Sequence, residues 1–225
     1  MKIRLARVGL ACVLVVVVGS SAWAGPPTEQ IRSRVDRIVK VLEDPELQKE
    51  SRTTERRLAI RRVADEIFDF TEISQRSLGR HWQARTPAER AEFIVLFGGL
   101  LSDVYISRIE AYSGERFVYV SEAVDGDYVT VRTRIVTKQG TEIPVDYRMF
   151  QRDDRWRVFD ASIEGVSLVA NYRAQFNSVV QRSSYQALVT RLKTRQEESP
   201  AARATGRRGD TGQARPPSPP PPQTP

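Results

Sequence analysis

Between residues 117 and 163 the chain presents four alternating stretches in close succession, 117–124, 128–137, 143–150 and 156–163. They are separated by Asp125-Gly126-Asp127, by a turn around Gln139-Gly140 and by Asp153-Asp154. Period-two alternation between turn residues is the signature of strands, and links this short join neighbouring antiparallel strands, so the segment reads as a meander. Val129, Val131 and Ile135 alternate with Tyr128, Arg132 and Arg134, and Ile143, Val145, Tyr147 and Met149 alternate with Asp146 and Arg148. One face is therefore apolar and the other largely polar, and the apolar face needs a cover. Pro144 offers no ladder donor, which predicts an edge strand or a bulge there.

The cover is written before and after the strands. Thr86-Pro87-Ala88-Glu89 forms a capping box: Thr86 can accept from the N3 amide, Pro87 suits the first helical position, and Glu89 can reach back to the Thr86 amide. The long helix that starts there carries a stripe of Phe93, Phe97, Leu100, Leu101, Val104, Tyr105 and Tyr112. Gly98-Gly99 inside it permits close approach of a neighbour or marks a bend. Upstream, Ile31, Val35, Ile38 and Leu42 define one amphipathic helix, ended by Pro45, and Ile60, Val63, Ala64, Ile67 and Phe68 a second. Asp69 or Thr71 caps a short helix through Ile73 and Leu78, stopped by Gly79. Residues 168–181 and 185–192 read as two closing helices, with Ser183 or Ser184 as the cap between them. The fold class is α+β: a four-stranded antiparallel meander covered on one face by a long helix and further helices.

Lys2, Arg4 and Arg7 precede an apolar run of about 11 residues, far short of the roughly 20 that span a bilayer, and Ala22-Trp23-Ala24 suits cleavage before Gly25. Residues 1–24 are thus expected to be a signal peptide. The one cysteine, Cys12, lies inside it, so the exported chain has no disulfide and depends on its own core. Loss of the three basic residues lowers the formal charge from +7 to +4. In an exported protein this excess points to anionic lipid surfaces or acidic partner proteins, not to nucleic acid. Residues 25–196 are expected to form one domain. Residues 197–225, nearly all proline from 216 to 222, form a Pro-rich tail that reads as a solvated spacer or a proline-recognition segment.

Reactive chemistry is thinly represented. The one histidine, His81, has no Gly-x-Ser-x-Gly elbow and no surviving cysteine to activate. Counts of His and Cys leave no metal cluster, no cofactor is implied, and no P-loop is present. Asp160 and Glu164 are the one carboxylate pair that merits weighing for acid–base work. Hydrogen bonding that fixes a neighbouring loop is the other role open to Asp160.

The order Trp156, Val158, Asp160, then Glu164-Gly165-Val166-Ser167, then Tyr172-Arg173 and Phe176 resembles the closing segment of the MlaC-type periplasmic lipid-shuttle family, also called toluene-tolerance auxiliary proteins. Leu78-Gly79 with Trp82, the Thr86-Pro87 helix start with Phe93 and Leu100-Leu101, and Pro144-Val145-Asp146-Tyr147 extend the likeness over about residues 31–193. The resemblance implies a monomeric periplasmic carrier, without catalysis or cofactor, with an apolar cavity between sheet and helices. Such a carrier holds a phospholipid by its acyl chains and passes it between an outer-membrane lipoprotein complex and an inner-membrane ABC transporter. Some relatives belong to hopanoid pathways, so a related lipid is a second reading. On this view the tails contact Phe93, Phe97, Leu100, Leu101, Val104 and Tyr105 from the helix, and Val131, Val145, Tyr147, Val166 and Leu168 from the opposite side. Each of these also suits an ordinary core. The other classes left open are an exported adapter that binds only proteins and a hydrolase using Asp160 or Glu164.

Overall fold

The computed structural model describes residues 27–198. The expected signal peptide and almost all of the tail lie outside the described residues. In chain order the elements are α1 (Pro27–Glu43), the short α2 (Pro45–Gln48), α3 (Thr53–Ile67), α4 (Phe70–Leu78), α5 (Pro87–Ile109), β1 (Arg116–Asp125), β2 (Tyr128–Val136), β3 (Glu142–Arg152), β4 (Arg155–Ile163), β5 (Val166–Ser167), α6 (Leu168–Arg182) and α7 (Tyr185–Glu197). The capping box of α5 is complete, with the Glu89 amide donating to Thr86 Oγ1 and the Thr86 amide to Glu89 Oε2. Asp69 caps α4 by accepting from the Glu72 amide at 2.8 Å.

The strands form one open antiparallel sheet in the order β1-β2-β3-β4-β5. The fifth strand corrects the expected four. Glu164 and Gly165 both have positive φ, 51° and 80°, and fold the chain back so that Val166 pairs with Ile163 and Ser167 with Ser162. Two residues are too few to show alternation, which is why this strand was invisible in the sequence. Pro144 also differs from expectation, because β3 is central and Pro144 pairs in regular register with Arg134. Its carbonyl accepts from the Glu164 amide at 2.9 Å. The missing N–H therefore faces the β4–β5 turn, beyond the last paired residue of β4, and no bond to β2 is lost.

Two bulges interrupt the ladder. One lies at Val120 in β1, between the Tyr119 and Ser121 pairings, and the other at Phe159 in β4. The second turns Phe159 and Asp160 to the same face of the sheet: Phe159 meets Tyr128 and Phe150 with ring centroids 5.5 and 5.9 Å away, and Asp160 meets Arg148.

The core divides into two apolar clusters. Ile31 of α1 and Ile67 of α3 close over Val129, Val131, Met149 and Val158 on the inner face of the sheet. The second cluster joins α4, α5, α6 and α7 around Phe93, Phe97, Leu101, Phe176 and Leu188. Phe68, in the link between α3 and α4, packs against both. The long helix thus contributes mainly to the helical cluster, while α1 and α3 lie directly on the sheet. Neither glycine of α5 is required by its neighbours: a Cβ on Gly98 would stand 3.6 Å from Arg61 and 3.7 Å from Phe70, and one on Gly99 3.5 Å from Gln196, all ordinary contact distances.

Gly79 ends α4 at φ 57° and ψ −129°, a conformation that L-residues strongly disfavour. A Cβ there would also lie 3.4 Å from Arg173 of α6, whose Nε donates to the Arg76 carbonyl at 2.8 Å. The glycine and the arginine of the sequence pattern are therefore one device, which docks α6 against the end of α4. Gly79→Ala is expected to cost about 1–3 kcal/mol of stability, measured by urea unfolding; an unchanged midpoint would show that the backbone relaxes freely.

Candidate functional site

The residues singled out for lipid contact fall into three groups. Phe93 and Phe97 are fully buried, Val131 likewise, and Leu101 and Val145 are 5% exposed. Phe93 and Phe97 are enclosed by the protein's own rings, each edge-on to Phe176 at 5.6 and 5.0 Å, with Tyr172 4.9 Å from Phe97. Leu100, Val104, Tyr105, Tyr147 and Leu168 are half-buried. Val166 lies on the short β5 at 61% exposure.

The half-buried group borders both clusters. Leu100, Tyr105 and Leu168 pack against the helical cluster and Tyr147 against the sheet cluster. Ile135, Ile143 and Ile163, on the inner face near Val145, are also half-buried. Apolar side chains thus remain partly uncovered at the margins of both clusters. Tyr147 is informative: burial pushes its phenol up to about 12, yet its side chain keeps accessible surface and its hydroxyl has no hydrogen-bond partner among the described residues. Tyr172 is likewise raised to about 12, chiefly by burial, with Tyr105 adding and Arg108 and Arg195 opposing. These phenols stay neutral at physiological pH and contribute ring surface without charge. Tyr172, absent from the expected lipid contacts, belongs to the closing-segment pattern and lies four residues from both Leu168 and Phe176, which was the available signal.

The polar candidates are engaged structurally. Asp160, 2% exposed, accepts from Ser167 Oγ at 2.6 Å and from the Val169 amide at 3.0 Å, while Ser167 Oγ accepts from the Ala170 amide at 3.0 Å. The carboxylate therefore completes the N-terminal cap of α6 from a neighbouring strand. Arg148 stands 3.6 Å from it. Glu164 is exposed in the β4–β5 turn and does not converge with Asp160 in a shared cleft. His81 Nε2 pairs with Asn177 Oδ1 at 3.0 Å, joining the segment after α4 to α6. Among the described residues no group of three or more His, Cys, Asp or Glu is placed to hold a metal ion, and no helix is long and apolar enough to cross a membrane.

A one-sided antiparallel sheet and a helical layer with its own aromatic core define the α+β class to which this chain is assigned. The family model described as MlaC protein matches residues 32–194, and the chain belongs to that family. The intermembrane phospholipid transport system binding protein MlaC of Haemophilus influenzae is 22% identical over 120 residues, covering 51% of this chain and 56% of that protein. The match thus spans little more than half of that relative. A phospholipid-binding protein from Ralstonia solanacearum, solved in complex with a phospholipid, superposes with a TM-score of 0.67 at 24% identity, over 76% of this chain and 97% of that one. That likeness establishes a common fold.

Proposed function

We propose that this chain is an exported, monomeric periplasmic carrier that shelters the acyl chains of a phospholipid and hands it between an inner-membrane ABC lipid transporter and an outer-membrane lipoprotein complex, without catalysis. The observation that carries the reading is the set of half-buried apolar side chains at the margins of both clusters. Leu100, Val104, Tyr105, Tyr147 and Leu168 offer hydrocarbon-compatible surface; Phe93, Phe97, Leu101, Val131 and Val145 form the floor behind them, and Val166 stands at the rim. Burial of a methylene gains about 0.8 kcal/mol, so two ordinary acyl chains left in water cost on the order of 20 kcal/mol and a carrier must sheathe most of them. Neutral tyrosines suit such a lining, since a phenolate beside the tails would carry a desolvation penalty. The bound phospholipid of the Ralstonia solanacearum protein supports the same reading.

The test is organic extraction of the purified protein followed by mass spectrometry. One diacyl lipid per chain is expected, and the spectrum separates a glycerophospholipid from a hopanoid. A lipid-free protein that also fails to take up phospholipid from vesicles would overturn the proposal and leave a protein-binding adapter as the better account.

A further inference from the structure

We propose that a groove at the turn end of the sheet is the docking site for this chain's own arginine- and proline-rich tail, residues 215–222. The β1–β2 and β3–β4 turns lie side by side there and enclose a groove of about 530 Å³, a volume within the range that holds a compact ligand or a short peptide segment. Tyr128 and Phe150, from the outer face of the sheet, and Trp156, from the inner face, line it together with Asp127, Asp153 and Asp154. Tyr128 is 45% exposed, with its ring edge-on to Phe159 at 5.5 Å. None of the three carboxylates belongs to an ion pair among the described residues. Arg152, beside the groove, is committed elsewhere: it pairs with Asp69 and Glu72 and lies 4.7 Å over the Phe150 ring. Arg155 sits on the same turn but does not line the groove.

Aromatic walls with an acidic rim are the chemistry that recognises proline-rich segments. Such segments are pre-extended, so they lose little entropy on binding; their rings lie against aromatic faces, and a flanking arginine meets the carboxylates. The sequence beyond Glu198 supplies each part: Arg215 leads directly into Pro216-Pro217-Ser218-Pro219-Pro220-Pro221-Pro222, and the segment holds Arg203, Arg207 and Arg208 against a single acid, Asp210. Reach is sufficient. The 17 steps from Glu198 to Arg215 span up to roughly 55 Å when extended, whereas a domain of this size has a radius of gyration of about 15 Å. Tethering supplies an effective concentration of about a millimolar, so a weak contact is enough to populate the docked state. This inference is independent of the lipid reading.

The experiment uses the full chain with Cys12→Ser and Gln223→Cys, carrying a nitroxide at position 223, and reads paramagnetic broadening in isotope-labelled protein. The Trp156 indole and Gly126 amide signals are expected to broaden several-fold more than in the same chain carrying Arg215→Glu, Pro219→Ala and Pro220→Ala. Asp153→Asn with Asp154→Asn should reduce the effect from the groove side. Equal broadening in the parent and the tail variant overturns the proposal. So does broadening that arises only between a spin-labelled and a separate isotope-labelled copy, which would assign the groove to a second molecule's tail.

Discussion

Replacing Asp160 with alanine is expected to lower the stability of the domain by about 3–5 kcal/mol, read as a shift in the urea midpoint without loss of secondary structure in the remaining folded state. The carboxylate is 2% exposed and holds Ser167 Oγ and the Val169 amide at the start of α6. Its removal leaves that amide unsatisfied in a dry position, frees Ser167 from its orientation as a cap, and leaves Arg148 without its partner. Hydrogen bonds to a charged group contribute about 1.5–3 kcal/mol each, and a lost cap alone costs about 1 kcal/mol. Asp160→Asn keeps one acceptor and is expected to cost less. A hydrolytic role for Asp160 predicts the opposite pattern, in which the asparagine variant keeps its stability and loses turnover of an ester or glycoside substrate.

The second large effect is on lipid content. Val104→Trp is expected to reduce co-purifying lipid at least tenfold while leaving the unfolding midpoint nearly unchanged, because Val104 is half-buried and its added ring occupies the margin assigned to acyl chains. The contrast is Leu101→Trp, one helical turn away. Leu101 is 5% exposed inside the helical cluster, so a large ring there overpacks the protein's own core and costs about 1–3 kcal/mol. Lipid retention by Val104→Trp, with the fold intact, would place the acyl chains elsewhere.

Local chemistry made much of this fold legible. The Thr86-Pro87-Ala88-Glu89 box placed the start of α5 because its bonds run between residues three apart. Asp69 as the cap of α4 and Gly79 as its stop follow the same logic. Alternation and turn residues gave the register-bearing strands. Long-range choices were less visible. The α5 stripe announces an apolar face but carries no information about its neighbour, so Phe93 and Phe97 read equally as ligand contacts and as partners of Phe176. Pro144 read as an edge signal because the side its nitrogen faces depends on where β4 ends. Of the proposed contacts, Tyr105 borders the helical cluster and Tyr147 the sheet cluster, and how far each stays uncovered depends on the tertiary packing around it, which no periodicity encodes. The Gly79–Arg173 contact spans 94 residues and had only the family pattern to suggest it.

The irregularity at Val120 bears on how such a molecule behaves when crowded. Ten residues long and flanked on one side only, β1 would otherwise present a continuous row of free amides and carbonyls to any passing strand. The extra residue between Tyr119 and Ser121 breaks that row into two short pieces with a local kink, so fibre-like growth through this edge has no long template to copy.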